Sequence, residues 1–506
     1  MKKVAWLLSL IMIFSAFTSC SSKPVTSNDS ENLITSSDTV SETQGEQQHI
    51  FSLPYFKNDS LNPYSAKQSV NFYLGSLIYD SLFELDRNFK AVPVIADMVT
   101  QEGTTCVVTI KKGLKFSDGS EITLQDVASS IKTAKSSSYY SARLNNISSY
   151  KIKDNAIVFA LKKADINFVK NLNFPIVKGG SAQSRAIGSG RYAFSPDENI
   201  LSLCINEYNT KKESTIKNIS LVEIHKYSTL PYMVKIGSVN FVYATSDDFD
   251  LKTAAAKTTS VLMNNLVYLG INSENVLLAN QDFRKAISLL VNRKAILTDA
   301  YANAGSATAT PFHPLATDLN TKDYSVDLTN AQAAAELFSI AGLTNKNEDG
   351  ILTAPDLSPI SLRLVVNKEN PARVRAAQSI KLSLEGAGVA VELIEANTAA
   401  YKEYISNGDY DMFIGEVKLT PDNDISPLLS KGMLNSCDDG GETLLSYNKY
   451  LAGEISLADF LRAFDLKTPF IPIMYRNGTA VSSGTLSGNT VVTEYDVYSD
   501  MYKWVF

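Results

Sequence analysis

The stretch KFSDGSEITLQDV, residues 115–127, encodes two local structures in direct succession. Its Asp-Gly pair predicts a tight turn, because glycine accepts a positive φ and aspartate bonds its own backbone. Thr123 and Asp126 have the spacing of a capping box, in which each side chain accepts from the other residue's backbone amide. Together with the strand-like run at residues 106–112, the stretch predicts a strand, a turn and a capped helix.

A basic start at residues 1–3 and an apolar run at residues 4–17 open the chain, and small polar residues precede Cys20. This order is typical of a secretory signal, and the run is shorter than the roughly 20 residues that span a bilayer. The residues before Cys20 resemble a bacterial lipobox, although Phe17 stands where that pattern usually has leucine. The resemblance implies cleavage before Cys20 and a two-chain lipid anchor on it. An ordinary secreted protein or a plain signal anchor is the alternative.

The next segment, residues 21–48, is rich in Ser, Thr, Glu and Gln and has few large apolar side chains. Such a composition buries too little apolar surface to fold. We therefore expect a signal peptide at residues 1–19 and a disordered tether at residues 20–47. The rest of the chain would then be a domain held at the outer face of the cell membrane, or on the periplasmic side in a host with two membranes.

Composition excludes several classes of function. The net charge of −6 argues against nucleic acid as a partner. Cys106, Cys204 and Cys437 are odd in number and have no metal-motif spacing, so buried free thiols are expected, with a Cys106–Cys204 bridge as the alternative. The histidines are few and far apart, so no metal site is predicted.

Enzyme motifs are also missing from the sequence. No Gly-x-Ser-x-Gly elbow, His-Glu-x-x-His motif or phosphate-binding P-loop is present. We therefore predict neither a catalytic residue nor a cofactor. A pair of catalytic carboxylates remains open as a remote alternative, because Asp and Glu are abundant.

The first half of the chain favours short strands that are rich in β-branched and aromatic residues. The predicted strands are Phe51–Phe56, Thr105–Ile110, Ile157–Leu161, Leu201–Glu207 and Ser220–Ile224. Near the end of the chain, residues 469–474 and 495–506 return to this style. That return suggests that the chain crosses back into its first lobe.

The second half alternates strands with amphipathic helices. Strands are predicted at residues 360–366, 389–394 and 411–416, and helices at residues 331–341, 373–384 and 401–406. This order predicts a mixed α/β lobe. Gly386 is expected to end the helix at 373–384. Asp282 is expected to cap an earlier helix, and a short strand at residues 268–272 marks the junction of the two halves.

Several stretches, in this order, resemble the family 5 extracellular solute-binding proteins, the receptors of oligopeptide, dipeptide and nickel-type ABC importers. They are Leu61–Tyr64, Ile78–Leu82, Lys115–Val127, Ile187–Tyr192, Tyr268–Asn272 with Asp282–Ile296, and Gly408–Met412. Each motif is short, and it is their shared order over nearly all of residues 50–506 that carries the resemblance.

The resemblance implies an α/β, periplasmic-binding-protein-like fold of type II, cluster C, with two lobes, a hinge and an extra inserted domain. Domain I would comprise residues 48–79, 186–266 and 470–506. Domain II would be the insert at residues 80–185, and domain III would span residues 267–469. The lobes would close over a ligand by a hinge motion, and the closed form would be presented to the permease subunits.

The function implied by the resemblance is that of a monomeric substrate-binding lipoprotein of an ABC importer. A short peptide is the expected ligand. A nickel chelate or an oligosaccharide is the alternative ligand, and a peptide-pheromone receptor is an alternative role for the same fold. A secreted hydrolase is the remote alternative.

One departure from the family pattern concerns ligand binding. Peptide-binding members commonly carry an amine-binding aspartate in a Gly-Trp segment after Gly-Asp-Tyr-Asp-Met. Here the tryptophan is absent, and the aspartate position falls on Leu419 or Thr420. Asp422 is the first candidate to replace it and Glu416 the second, because a buried ammonium needs a carboxylate.

The remaining candidate contacts come from three other segments of the chain. They are Lys67, Gln68 and Ser69 after the Asn-Pro-Tyr turn, Tyr139 and Tyr140, and Tyr475 and Arg476 near the expected hinge. A solvated loop is the alternative for the first three, and packing is the alternative for the tyrosines.

Overall fold

The computed structural model describes residues 50–197, 199–211, 213–245, 257–316, 329–432, 434–488 and 492–506. The predicted signal peptide, the lipidation site at Cys20 and the tether lie outside these residues. In the described part of the chain, no helix is both long enough and apolar enough to cross a membrane.

Short strands dominate the first half, and longer strands with helices dominate the second. The strands are β1 (Phe51–Tyr55), β2 (Phe83–Leu85), β3 (Ala91–Pro93), β4 (Ala96–Glu102), β5 (Thr105–Ile110), β6 (Ile147–Lys153), β7 (Ala156–Leu161), β8 (Tyr192–Phe194), β9 (Ser202–Ile205), β10 (Asn218–Glu223), β11 (Phe241–Ala244), β12 (Lys257–Ile271), β13 (Gly305–Ala307), β14 (Ser361–Asn367), β15 (Ala390–Ala396), β16 (Met412–Lys418) and β17 (Ile471–Ser482). The α-helices are α1 (Ser69–Ile78), α2 (Leu124–Lys135), α3 (Leu230–Lys235), α4 (Val276–Ala279), α5 (Gln281–Leu290), α6 (Arg293–Ala295), α7 (Ala331–Ile340), α8 (Pro371–Ala387), α9 (Thr398–Asn407), α10 (Glu442–Leu451) and α11 (Leu457–Lys467).

The strand-turn-helix predicted from residues 106–127 is confirmed. Gly119 has a φ of +83°, as the turn requires. The Thr123 side chain accepts from the Asp126 amide, and the Asp126 carboxylate accepts from the Thr123 amide, so the capping box at the start of α2 is complete. Asp126 also accepts from the Gly179 amide at 2.8 Å, which ties the start of the helix to a second turn.

The described strands form separate sheets. One four-stranded sheet has the order β1-β10-β9-β8, and another has the order β4-β5-β7-β6. The largest sheet has the order β11-β17-β12-β16-β14-β15, with β13 added on β17, and β2 and β3 form a small pair. In the largest sheet, β14 is parallel to both β15 and β16, while β12 is antiparallel to β16 and β17. The predicted β-α-β-α-β lobe is confirmed by this mixed sheet.

The long strands β12 and β17 connect two hydrophobic cores. β12 contributes Val261 to the first core and Val267 to the second. β17 contributes Ala480 to the first core and Ile473 to the second. The two strands therefore hold the cores in a fixed register. The domain limits implied by the resemblance stay a prediction.

Several local predictions are wrong in detail. The N-cap of α5 is Asn280, whose side chain accepts from the Asp282 and Phe283 amides, and Asp282 lies within the first turn. The strand predicted at residues 268–272 is the end of the much longer β12. Residues 495–506 form turns and a short 3-10 helix, Met501–Lys503, with a single bridge at Val505, instead of a strand.

The cysteines match the free-thiol expectation. Cys106 and Cys437 are buried, Cys204 is half-buried, and all three are free. Burial raises the pKa of the Cys106 thiol to about 12, so this thiol stays protonated and unreactive at neutral pH.

Helix α8 ends at a different glycine from the one predicted. Gly386 lies inside the helix, and Gly388 is the C-cap, with a φ of +100°. A Cβ at Gly386 would have open space around it, whereas one at Gly388 would lie 2.9 Å from the Gly350 carbonyl oxygen. The two glycines are thus a matched pair for testing where the helix ends.

We expect Gly386→Ala to raise the free energy of unfolding by about 0.5–1 kcal/mol, because alanine is the better residue inside a helix. We expect Gly388→Ala to lower it by about 1–2 kcal/mol, because the left-handed conformation strains a residue with a Cβ. Urea unfolding of the two variants measures both values. Equal effects of the two substitutions would contradict the conclusion that α8 ends at Gly388.

Candidate ligand-binding cleft

Two adjoining cavities lie between the segments that the two cores position. The first, of about 70 Å³, is bordered by α1, by the loop at residues 173–175 and by the segment at residues 494–496. The second, of about 560 Å³, lies between residues 142–171 and residues 417–434. Arg143 and Lys418 border both cavities, so the two cavities adjoin at these cations, and we call them together the cleft.

Arg143 is a firmly positioned cation at this junction. Its guanidinium lies over the Tyr140 ring at 4.9 Å and over the Tyr495 ring at 5.6 Å. It also donates to the Asn173 carbonyl oxygen at 3.0 Å. Aromatic faces attract a guanidinium and leave its remaining N–H groups available. The side chain can therefore present a donor fork to a carbonyl or carboxylate in the cleft.

Glu494 is a buried anion beside Arg143, with only 1% of its side chain exposed. One carboxylate oxygen accepts from the Asn264 backbone amide at 2.7 Å. Asn264 lies where the pairing of β12 with β17 is interrupted, between Leu262 and Leu266. The other oxygen lies 2.5 Å from Lys418 Nζ, and the Lys418 side chain is 50% exposed.

The acidic side chains of Glu84 and Asp496 also line the first cavity. Lys211 Nζ lies 2.6 Å from Asp80 and 2.5 Å from Glu84, so one lysine neutralises two carboxylates in part. Burial, followed by the negative charge of Glu84, raises the pKa of Asp496 to about 6, and Lys211 opposes this rise.

Glu416, a predicted ligand carboxylate, is occupied by protein cations. Its two oxygens accept from Arg476 at 2.7 and 2.9 Å and from Arg373 at 2.6 Å. Asn265 donates a further bond at 2.8 Å. Burial opposes ionisation, but the charges of Arg476 and Arg373 outweigh it and lower the pKa of Glu416. This ion group connects β16, β17 and α8 and leaves no oxygen open to a ligand amine, so we assign Glu416 and Arg476 to the scaffold.

Asp422 does line the second cavity, but its oxygens are engaged. It accepts from Asn171 and from the Thr420 hydroxyl, each at 2.5 Å. Burial, followed by the charge of Asp424, raises the pKa of Asp422. Burial and then the charge of Asp422 likewise raise the pKa of the buried Asp165. A simultaneous negative charge on the two carboxylates is therefore disfavoured.

Further contacts join residues 163–171 to residues 422–451. Lys163 Nζ donates to Ser426 Oγ at 2.6 Å and lies 3.7 Å from Asp424. The Ile166 amide donates to the Leu451 carbonyl oxygen at 2.9 Å. These polar contacts must break whenever the two sides of the second cavity separate.

The candidates after the Asn-Pro-Tyr turn do not border the cavities described above. The Lys67 and Gln68 amides donate to the Asp59 carboxylate, at 3.0 Å and 2.8 Å. The Ser69 hydroxyl lies 3.0 Å from the Tyr227 hydroxyl at the start of α1. The backbone of this loop is therefore engaged in holding the loop and the helix together.

The predicted tyrosines divide between the cleft wall and the core. Tyr140 lines the first cavity, whereas the half-exposed Tyr139 stacks on Phe72 with ring centroids 4.3 Å apart. Tyr475 is fully buried and donates to the Pro311 carbonyl oxygen at 2.8 Å, so it packs in the core. Among the predicted contact residues, only Tyr140 and Asp422 line either of the two cavities described above.

Sequence reasoning missed Arg143, Lys418, Glu494 and Asp496. Lys418 lies in the very segment that departs from the family pattern, and that departure could have drawn attention to it. Glu494 and Asp496 stand in a stretch with no local motif, and only the fold brings them to the cleft. Among the described residues, no group of three His, Cys, Asp or Glu side chains is arranged to hold a metal ion.

We expect Glu416→Gln to lower the free energy of unfolding by about 3 kcal/mol, because it leaves two arginines buried without their anion. Exposed Glu348 provides the control, and Glu348→Gln should change stability by less than about 0.5 kcal/mol. Chemical denaturation at pH 7 measures both. A loss as small as that of the control would show that the ion group does not support the fold.

Asp165 gives a prediction about pH. Its folded-state pKa is raised, so its stabilising contribution is complete below the unfolded pKa of about 4 and is lost as the pH rises through the folded value. Asp165→Asn removes this titration. We expect the variant to exceed the wild type in stability by about 1 kcal/mol or more at pH 8 and to match it near pH 4.

Melting temperatures between pH 4 and pH 9 test this expectation, with Asp349→Asn, a change of an exposed residue, as the control. A variant that is less stable than the wild type at pH 8 would show that the Asp165 charge is favourable, contrary to the expected sign.

The comparisons with known proteins agree with this architecture. Residues 90–433 match the model of the bacterial extracellular solute-binding proteins, family 5, middle region. The oligopeptide-binding protein AppA of Bacillus subtilis (strain 168) is 24% identical over 447 residues, which cover 82% of this chain and 80% of that protein.

Two solved structures show the same fold. AppA of Bacillus subtilis in complex with a nonapeptide has a TM-score of 0.58 at 21% identity, covering 90% of this chain and 98% of that one. A nickel ABC transporter protein of Bacillus halodurans has a TM-score of 0.72 at 16% identity, covering 89% and 98%. The type II two-lobe α/β fold is thereby confirmed. This chain belongs to the family 5 bacterial extracellular solute-binding proteins, the binding proteins of ABC transporters, as the sequence resemblance indicated.

Proposed function

We propose that this chain is the extracytoplasmic substrate-binding lipoprotein of an ABC importer, that it captures a short peptide in the cleft, and that it delivers the peptide to the permease. The observation that carries the peptide assignment is the cleft itself. It places the cation Arg143 over aromatic rings at the border of both cavities, the buried carboxylate of Glu494 at the wall of the first, and a volume of about 560 Å³ in the second. Ligand pockets of roughly 300–1,000 Å³ are usual for small molecules.

A peptide suits this combination of groups. Its backbone supplies carbonyl acceptors and amide donors at every residue, and its ends carry one charge of each sign. The relative AppA is named for oligopeptide binding, and its solved structure holds a nonapeptide. Tyr140 and Asp422 remain candidate contacts at the wall of the cleft. A lipid anchor on Cys20, a monomeric chain and the transfer to permease subunits complete the proposal.

Native mass spectrometry of residues 21–506, purified from the producing cells, tests the ligand class. We expect short peptides to be released and sequenced. A released nickel chelate or oligosaccharide would contradict the peptide assignment while leaving the fold intact. Arg143→Met should lose most of the bound peptide, and Lys402→Met, which removes an exposed lysine, should retain it.

If the protein is isolated without bound ligand, a thermal-shift titration with a pool of short peptides replaces the first measurement. A ligand that binds the folded state raises the melting temperature by mass action. An increase with peptides supports the proposal. An increase with nickel–histidine alone contradicts it.

A further inference from the structure

Glu494 differs from the neighbouring carboxylates Glu416, Asp80 and Glu84 in how it is neutralised. Glu416 is fixed by the buried Arg476 and the half-buried Arg373, and Asp80 and Glu84 share Lys211. Glu494 has one ionic partner in the described structure, Lys418, and that lysine is half-exposed. An exposed lysine is a flexible point charge that gains little from a surface ion pair. The counter-ion of Glu494 can therefore be exchanged for another cation.

The carboxylate itself is held in place independently of Lys418. The Asn264 amide binds one oxygen at 2.7 Å, and the Asn264 side chain donates to the Leu419 and Thr420 carbonyl oxygens at 3.3 and 2.9 Å. Both the backbone amide and the side chain of Asn264 are thus hydrogen-bonded at the interruption in the strand pairing. The second oxygen of Glu494 keeps its position at the wall of the first cavity, whether or not the lysine is present.

Glu494 and Arg143 both line the first cavity, so an anion and a cation border the same space. Building on the proposed function, we propose that Glu494 accepts the ammonium group of the ligand, that Arg143 binds a carbonyl or carboxylate oxygen beyond it, and that Lys418 occupies the ammonium position until the ligand displaces it. The ligand class is therefore a primary amine followed by a carbonyl, as at the free N-terminus of a peptide.

The exchange conserves charge. One ammonium group replaces another on Glu494, so the buried carboxylate never lacks a cation and no proton has to move. The displaced Lys418 borders the second cavity, where Lys162 and Lys163 also lie. The cleft is then more positive on the side of the second cavity, which suits the carboxylate end of the ligand.

The first test compares peptides that carry or lack the ammonium group. Tri-, tetra- and penta-alanine and their N-acetylated forms are titrated calorimetrically into the wild type and into Glu494→Gln. In the wild type, we expect acetylation to weaken binding by roughly tenfold or more, since it leaves the buried carboxylate without its partner. In Glu494→Gln, the free and acetylated peptides should bind equally. A preference for the free amine that persists in Glu494→Gln overturns the proposal.

Glu348→Gln is the matched control, because it removes one carboxylate of the same type from the exposed surface. It should keep the wild-type preference for the free amine. Loss of the preference in this control as well would assign the effect to overall charge and would also overturn the proposal.

The second test concerns Lys418 and does not depend on peptides. In Lys418→Met, the lysine no longer competes, so alaninamide should stabilise this variant at concentrations severalfold below those needed for the wild type. N-acetylalaninamide should have no effect, and Lys418→Met combined with Glu494→Gln should not respond. An alaninamide effect without any peptide binding would contradict the proposed peptide function and keep the ammonium site. A Lys418→Met variant that does not respond to alaninamide would overturn the ammonium site itself.

Discussion

The antiparallel pairing of β12 with β17 is the constraint on which the rest of the structure depends. Both strands run through the two hydrophobic cores, so the register of this one ladder fixes the position of each core relative to the other. The ladder is interrupted where it passes the cleft, between Leu262 and Leu266. Asn264 lies within this interruption, and its amide donates to Glu494.

Two neighbouring residues at this interruption contact two different carboxylates. Asn265 donates to Glu416, and the neighbouring Asn264 donates to Glu494. Glu416 has two buried guanidinium groups, so the cost of its burial is offset permanently within the protein. Glu494 has a half-exposed lysine, so its burial is offset by a cation that can be exchanged. Two neighbouring residues of one strand thus support carboxylates that have different counter-ions, and on our proposal only Glu494 binds the ligand.

Local signals in the sequence were sufficient to predict the strands, turns and helices, but not to predict which residues line the cleft. The turn and capping box at residues 118–126 and the alternating strands and helices of the second half depend on residues close together in sequence, and the structure confirms them. The end of α8 shows the limit of such signals. Gly386 and Gly388 are both plausible caps, and only the tertiary approach of the Gly350 carbonyl distinguishes them. Lys418 and Glu494 are far apart in sequence, so no periodicity could pair them.

This chain lacks the amine-binding aspartate of the family pattern, and the position of Glu494 accounts for its absence. The segment that follows Gly-Asp-Tyr-Asp-Met carries Lys418 at the cleft wall, and a lysine there would by itself repel a ligand ammonium. Glu494 cancels that charge from a different segment of the chain. A carboxylate from the C-terminal segment can bind an amine as well as a carboxylate from β16 can. The condition is that the counter-ion of that carboxylate is weakly held. On this proposal, amine recognition has moved between segments instead of being lost.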